Sequence, residues 1–474
     1  MKTSIVRITC FILILGMVLG YVNKVFKVKH SDGIDNLTTF YELEDDSVDV
    51  LFLGSSHVYV DINTGTLWDE YGIASYVLGG AIQPMWNTYY FLKEALKTQT
   101  PELIVLEGYT TMSDLEYGDV SKIMVNNYGL HWSVDKINSI KVSVPEERRT
   151  EYLIEYMQYH TRYTELSAAD FLKNQNNRLY DDWKGFYPLM ETAPSETIDV
   201  RGVTERVALL EKVEKYYRAT IELAQENHIP IMVVLSPYAG ISEYDQQKFN
   251  TAGDIAAEYG VPFINCNLLC DEIGIDYSTD AAEMWHLNYR GTQKYSSFIG
   301  AYITEHYDIS DRRDDPSYAS WQRNASYIAQ MIEDQLLRET DNIWEITLKL
   351  QNPNYWLFIT VDGDGTVADE NLHDFYNTMG LPVDVPCGMW YRNSDGWAWC
   401  SQAEEAEQYI RAAHDFCMRR TADDDGIYTN AIIIDNVQYQ KVTNGINIVV
   451  YDTVTEEVAD TIGISPDAGY IIIR

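Results

Sequence analysis

Two short segments far apart in the chain supply the side chains that activate an alcohol: Gly54-Ser55-Ser56-His57, which follows the apolar run Leu51-Phe52-Leu53, and Glu283-Met284-Trp285-His286. A serine hydroxyl is a weak nucleophile near neutral pH and needs a base within hydrogen-bond reach, itself oriented by an acid. Ser56 as nucleophile, His286 as base and Glu283 as acid meet that need. Glu283 is preferred to Asp280 because a three-residue offset puts acid and base on one side of the chain, whereas Asp280 suits a chain reversal. His57 points away from Ser56 if the chain is extended there, which assigns it a structural or substrate-facing role.

The elements that must position these groups are visible as apolar runs with polar ends. Residues 48–53 end in Gly-Ser-Ser, residues 74–78 in Gly79-Gly80, and residues 103–106 in Glu107-Gly108. With helix-like stretches between them, these runs predict a parallel sheet whose carboxyl edge collects the small and polar residues. Ligands of open α/β sheets bind along that edge. Residues 231–235, closing at Ser236-Pro237-Tyr238, and residues 261–264 extend the sheet, and helices are predicted over 204–227 and 290–307.

Gly54-Ser55-Ser56, the Leu78-Gly79-Gly80 turn and the late Glu283-x-x-His286 resemble blocks I, II and V of the SGNH/GDSL hydrolase superfamily. They are closer still to a bacterial surface branch, similar to the acyl-transfer proteins of teichoic-acid D-alanylation and exopolysaccharide O-acetylation. The resemblance covers roughly residues 48–109 and 229–302. It implies a three-layer α/β/α fold, an oxyanion hole built from the N–H of Ser56 and of Gly79 or Gly80, and no cofactor. A cell-surface glycan is the implied substrate, and an integral membrane acyltransferase is the implied partner that delivers the acyl donor. Two departures stand out: Ser55 replaces the family's aspartate, and Leu106-Glu107-Gly108-Tyr109 lacks the Gly-x-Asn-Asp of block III. One oxyanion donor is worth on the order of 100- to 1000-fold in rate. Asn87 is the expected stand-in for the missing asparagine, with a helix-capping role as its alternative.

Residues 5–22 are apolar and, at about 18 residues, long enough to cross a bilayer. Lys2 and Arg7 lie at their start and Lys24, Lys27 and Lys29 follow, so flanking charge does not orient the segment. Without a small-x-small cleavage site, residues 1–30 read as an uncleaved signal anchor, and the resemblance implies that the body faces the extracytoplasmic side. The 72 acidic residues outnumber 35 basic ones for a net charge of −37. Such a field repels phosphate backbones, which excludes nucleic acid as a partner and favours a neutral or weakly charged glycan. The 36 tyrosines and 11 tryptophans suit sugar-facing surfaces as well as cores. Cys266 and Cys270 have no second ligand pair at metal-site spacing, so no metal is assigned. Cys387 and Cys400 could form a disulfide in an oxidising exterior, leaving Cys417 single.

Residues 31–50 read as an acidic linker and 31–310 as the catalytic body. Within it, 113–200 form an insertion with helical periodicity, either a cap over the site or a packing subdomain. His160 and Trp183 are its substrate-binding candidates, together with His57. The charged break Asp311-Arg312-Arg313-Asp314-Asp315-Pro316 ends the body, and a helical connection at 311–340, with its helix over 318–338, leads to an α+β domain at 341–474. Strands are predicted there over 344–350, 355–361, 431–434, 447–451 and 470–473, and a helix over 401–419. Asn444 to Asp452 and Trp356 to Val361 resemble the PANDER-like (interleukin-like EMT inducer) carbohydrate-recognition domains, which implies glycan or surface-ligand binding. Asp362-Gly363-Asp364-Gly365-Thr366 opens like a calcium loop but lacks the later ligands, so a plain turn is expected.

The sequence thus predicts an SGNH-type serine acyltransferase or esterase acting on O-acyl groups of cell-surface glycans. The same residues would serve a carbohydrate ester hydrolase. A decayed site would leave a glycan-binding surface protein.

Overall fold

The computed structural model describes residues 2–27, 33–171, 183–362, 370–382, 387–401, 406–422, 428–465, 469 and 471–474. The chain forms two compact units, Met1–Ala325 and Ser326–Arg474. Their boundary falls inside the helix Ala319–Arg338, downstream of the charged break.

In the first unit, helix α1 (Lys2–Phe26) carries the segment Ile5–Phe26, long and apolar enough to cross a membrane. Strands β1 (Val50–Gly54), β2 (Ser75–Gly79), β3 (Leu103–Glu107), β4 (Ile231–Leu235) and β5 (Phe263–Asn265) build a parallel sheet in the order β2-β1-β3-β4-β5. Every residue of the first four strands is buried, which is why they read as continuous apolar runs rather than alternating ones. After β1 the chain adds β2 on one side and β3 on the other. Their carboxyl ends therefore diverge at the β1/β3 switch point, which leaves a crevice there.

Residues 33–50 are not the expected linker. Ile34, Leu37 and Phe40 share one face of helix α2 (Ile34–Phe40) and are buried against the body, where Asn36 Nδ2 donates to the Gly185 carbonyl at 3.0 Å. The insertion divides into two parts. Ile123, Tyr128, Ile140, Tyr152 and Tyr159 form a small core with Ile34 of α2 and Phe26 of α1. After a turn at Lys184 and Gly185, residues 186–195 run beside the sheet: the Val77 N–H donates to the Lys184 carbonyl, the Tyr187 N–H to the Tyr59 carbonyl, and the Tyr289 N–H to the Leu189 carbonyl. The helices expected over 204–227 and 290–307 occur as Glu211–Glu226 and Tyr289–His306.

The second unit stacks a six-stranded sheet and a four-stranded sheet, both antiparallel where paired. Its central strand pair is Tyr355–Asp362 with Gly445–Asp452. Ile359, Ile448 and Ile462 face a helical layer on one side, while Phe358, Phe416 and Val449 pack between the sheets on the other. Two sequence expectations are corrected here. Residues 344–350 form the helix Ile343–Lys349 instead of a strand, started by Asn342, whose side chain accepts the Trp344 and Glu345 N–H groups. The described part of 401–419 is not a helix: Ala406–Arg411 pairs antiparallel with Asp415–Ala422. The turn expected at 363–366 lies outside the described residues. Cys387, Cys400 and Cys417 are all free thiols, so the suggested disulfide is absent.

Candidate active site

At the carboxyl end of β1 the chain turns at Ser55 into the single-turn helix α3 (Ser56–Tyr59), with Ser55 Oγ accepting the His57 N–H. Gly54 is required at this turn: a Cβ there would lie 2.8 Å from Glu107 Cβ and 2.8 Å from a Val58 methyl. Ser56 opens α3, where an N–H has no intrahelical acceptor. That leaves it a donor suited to an oxyanion.

Glu283 and His286 occupy the facing ends of a hairpin made by β6 (Ala281–Glu283) and β7 (His286–Leu287), with Met284 and Trp285 at its tip. The structure brings all three predicted groups together. His286 Nε2 lies 2.8 Å from Ser56 Oγ, and His286 Nδ1 is hydrogen-bonded to Glu283 Oε1. Glu283 Oε2 also accepts the Trp285 N–H at 3.0 Å, which fixes the carboxylate across its own hairpin. With Nδ1–H donating to a carboxylate, Nε2 is the acceptor for the serine hydroxyl. Burial lowers the His286 pKa below its ordinary value, and His57 adds to that while Asp61 and Glu283 oppose it. The imidazole is accordingly neutral at pH 7 and able to take a proton.

Two buried carboxyl groups that sequence reasoning missed sit behind this relay. Asp61 Oδ1 accepts the Leu287 N–H at 3.0 Å, tying the segment just after α3 to the strand that carries His286. Its other oxygen is 3.3 Å from His57 Nδ1, and both residues are at most 1% exposed. Burial raises Asp61 to about 8 and lowers His57 to about 3, so the two face each other as neutral groups rather than as an ion pair. Glu107, at the end of β3, accepts the Tyr109 N–H at 2.7 Å and the Ser55 hydroxyl at 3.2 Å. Burial raises its carboxyl to about 8, against the pull of those donors. A carboxyl group therefore stands next to Ser55 even though position 55 itself is not an aspartate. The visible signal was an acid ending an otherwise apolar strand, Leu103-Ile104-Val105-Leu106-Glu107. Asp61 gave none, since an aspartate five residues past a serine is common in any chain.

His57 does not face solvent. Its ring stacks on Tyr109 with centroids 4.1 Å apart and meets Tyr238 edge-on at 5.2 Å, which makes it part of the wall behind His286 and corrects the substrate-facing option. Trp285, 39% exposed, continues that wall at 6.1 Å from Tyr238 and offers the exposed aromatic face. A cavity of about 310 Å³, lined by Val200, Ile241 and Tyr277 and by the polar Asp199, Arg201 and Asp271 among others, has Ile241 next to the glycine on which Trp285 packs.

Other expected site residues are placed elsewhere. Asn87 is buried, and its Nδ2 is engaged by the Asn126 carbonyl, Asn127 Oδ1, Ser139 and Ser143, so it neither completes an oxyanion hole nor caps a helix. Gly79 donates its N–H to Asn36 Oδ1 at 3.0 Å, which removes it as an oxyanion donor. The Gly80 N–H donates to the Gly54 carbonyl at 3.4 Å and, with the Gln83 amide turned to satisfy its neighbours, lies 3.3 Å from the Gln83 side-chain oxygen. Trp183 is 5% exposed and its carbonyl accepts the Thr64 hydroxyl, which marks it as a packing residue. His160 is exposed but hydrogen-bonds the Met157 carbonyl and lies beside Tyr156, against the end of α1. Asp280 is buried, pairing with Lys294 and accepting the Asp276 N–H, as its turn-forming role requires. No protein-family model and no curated protein matches this chain.

Proposed function

We propose that the protein is a membrane-anchored serine acyltransferase of the SGNH kind that moves O-acyl groups onto hydroxyls of cell-surface glycans. The observation that carries this reading is the relay from Glu283 through His286 to Ser56, with 2.8 Å between Nε2 and Oγ. Ser56 Oγ attacks the carbonyl carbon of an acyl ester as its proton passes to His286 Nε2. The oxyanion faces the Ser56 N–H. When the tetrahedral species collapses, the imidazolium returns the proton to the leaving alkoxide and the acyl group stays on Ser56. A sugar hydroxyl then attacks, gives its proton to His286, and the same steps in reverse free the serine.

The glycan acceptor is supported by the net charge of −37, which disfavours polyanionic partners, and by the exposed Trp285 beside the relay. Helix α1 supports anchoring in the membrane, with the body on the extracytoplasmic side. There an integral membrane acyltransferase would hand over the donor, and the second unit would hold the glycan.

The test uses the detergent-solubilised full chain with an aryl acetate and a neutral oligosaccharide, followed by mass spectrometry of the sugar. Acetylated sugar that disappears in Ser56→Ala is the expected result. Acetate release with no sugar product would leave an esterase using the same residues. Failure of Ser56 to react with a fluorophosphonate would remove the acyl chemistry and leave a glycan-binding protein.

A further inference from the structure

The end of α1 is not a free tether. Asn23 Nδ2 donates to Glu155 Oε2 at 3.2 Å, Lys27 Nζ donates to the Tyr128 carbonyl at 2.5 Å, and Arg162 donates to the Phe26 carbonyl at 2.5 Å. Glu155 is 2% exposed at its side chain and also accepts Lys136 Nζ at 2.6 Å. Burial pushes this carboxyl up, but Lys27 and Lys136 together hold it below the ordinary glutamate value. A buried carboxylate shared by two lysines fixes the segment that leaves α1 against residues 128–162, because separating its partners would strand a charge out of water.

Around this joint lies a set of large side chains facing solvent: Trp132, Ile154, Tyr156, Met157 and Tyr163, which are 58, 49, 39, 45 and 70% exposed. Each is tied to the joint. Tyr156 meets the Phe26 ring edge-on at 5.4 Å, Ile154 and Met157 flank Glu155, Tyr163 follows Arg162, and the Trp132 ring lies 4.9 Å from Lys136 Nζ. Residues 122–165 carry equal numbers of acidic and basic side chains, in a chain whose overall charge is −37. This face is therefore spared the repulsion that the rest of the molecule would feel near anionic headgroups. Tryptophan and tyrosine with an apolar body and a polar tip are the side chains that settle at a membrane–water boundary.

We infer that this face is seated in the headgroup region of the bilayer that α1 crosses, so that Trp132, Ile154, Tyr156, Met157 and Tyr163 touch lipid and hold the first unit against the membrane. The inference rests on reading α1 as a membrane anchor, and its occupant is phospholipid because the patch is continuous with the helix that enters it.

Full-length protein is reconstituted into vesicles of phosphatidylethanolamine and phosphatidylglycerol that carry a diazirine near the top of one acyl chain. After illumination, lipid adducts are mapped by peptide mass spectrometry. Adducts on α1, and on peptides spanning residues 132 and 154–163 at a yield several-fold above the exposed Tyr244, are the expected result. Labelling of α1 with the patch no higher than Tyr244 would overturn the inference while leaving the anchor intact. An unlabelled α1 would overturn the anchor reading and the inference with it.

Discussion

In the proposed reaction, protonation of His286 decides when Ser56 can react. Because burial lowers that imidazole's pKa, the acidic limb of kcat/KM against pH, measured on an aryl acetate, is expected below 6.5, the ordinary histidine value. Replacing His286 by Ala should lower kcat on the order of 1000-fold or more, and Glu283→Gln by on the order of 100-fold, since Glu283 is part-exposed and water takes over some of its role. Glu107 permits a separate stability prediction. Its carboxyl titrates at about 8 in the fold against 4.5 when unfolded, so the unfolded chain releases this proton first as pH rises. Stability tied to the group is complete below the lower value and declines across that window. Glu107→Gln should therefore flatten the fall of the thermal midpoint between about pH 5 and pH 8 relative to wild type, and an unchanged slope would refute the assignment. At this scale the sequence was readable where chemistry demands residue types at short spacing, as with Glu283 and His286. It was silent on Asp61 and Glu107, whose roles come from burial that only the folded sheet provides.

Among the elements, the hairpin of β6 and β7 is held closely by the segment that carries Gly240. Gly240 donates its N–H to the Met284 carbonyl at 2.7 Å, and a Cβ at that position would lie 2.9 Å from the Trp285 ring and 3.1 Å from that carbonyl. Gly240→Ala should push the hairpin off Ser56 and lower kcat by about 10- to 100-fold, with the thermal midpoint shifting by only a few degrees. An unaltered kcat would show that the hairpin tolerates displacement. The buried parallel strands were legible because each is a short run of Val, Leu and Ile closed by a polar turn. The helix expected over 401–419 was misread for a physical reason. Ala and Glu favour helices locally, yet the exposure of Ala406–Arg411 alternates residue by residue, and pairing with Asp415–Ala422 prevails over that propensity. At 343–349 the opposite happened, where the Asn342 cap and the buried Ile346 and Leu350 select a helix for residues that look strand-like.

For the molecule as a whole, each unit has a core of its own. Ile448 is fully buried in the second unit, so Ile448→Ala should cost about 2–5 kcal/mol there. Calorimetry should show one transition moved down while fluorophosphonate labelling of Ser56 in the folded protein stays at the wild-type level; a matching loss of labelling would mean that the units do not unfold separately. Their separation was foreshadowed by the charged break at 311–316, although the contact boundary lies within the helix that follows, because Trp321 and Ala325 belong to the first core. The bond between Ser56 and His286 closes a loop of 230 residues. While the chain is being synthesised, Ser56 emerges early and remains an ordinary alcohol until another 230 residues have followed it. Under the proposed acyl chemistry, reactivity would switch on late in biogenesis, and a ribosome that stalls before the hairpin would release an inert product rather than an unregulated nucleophile.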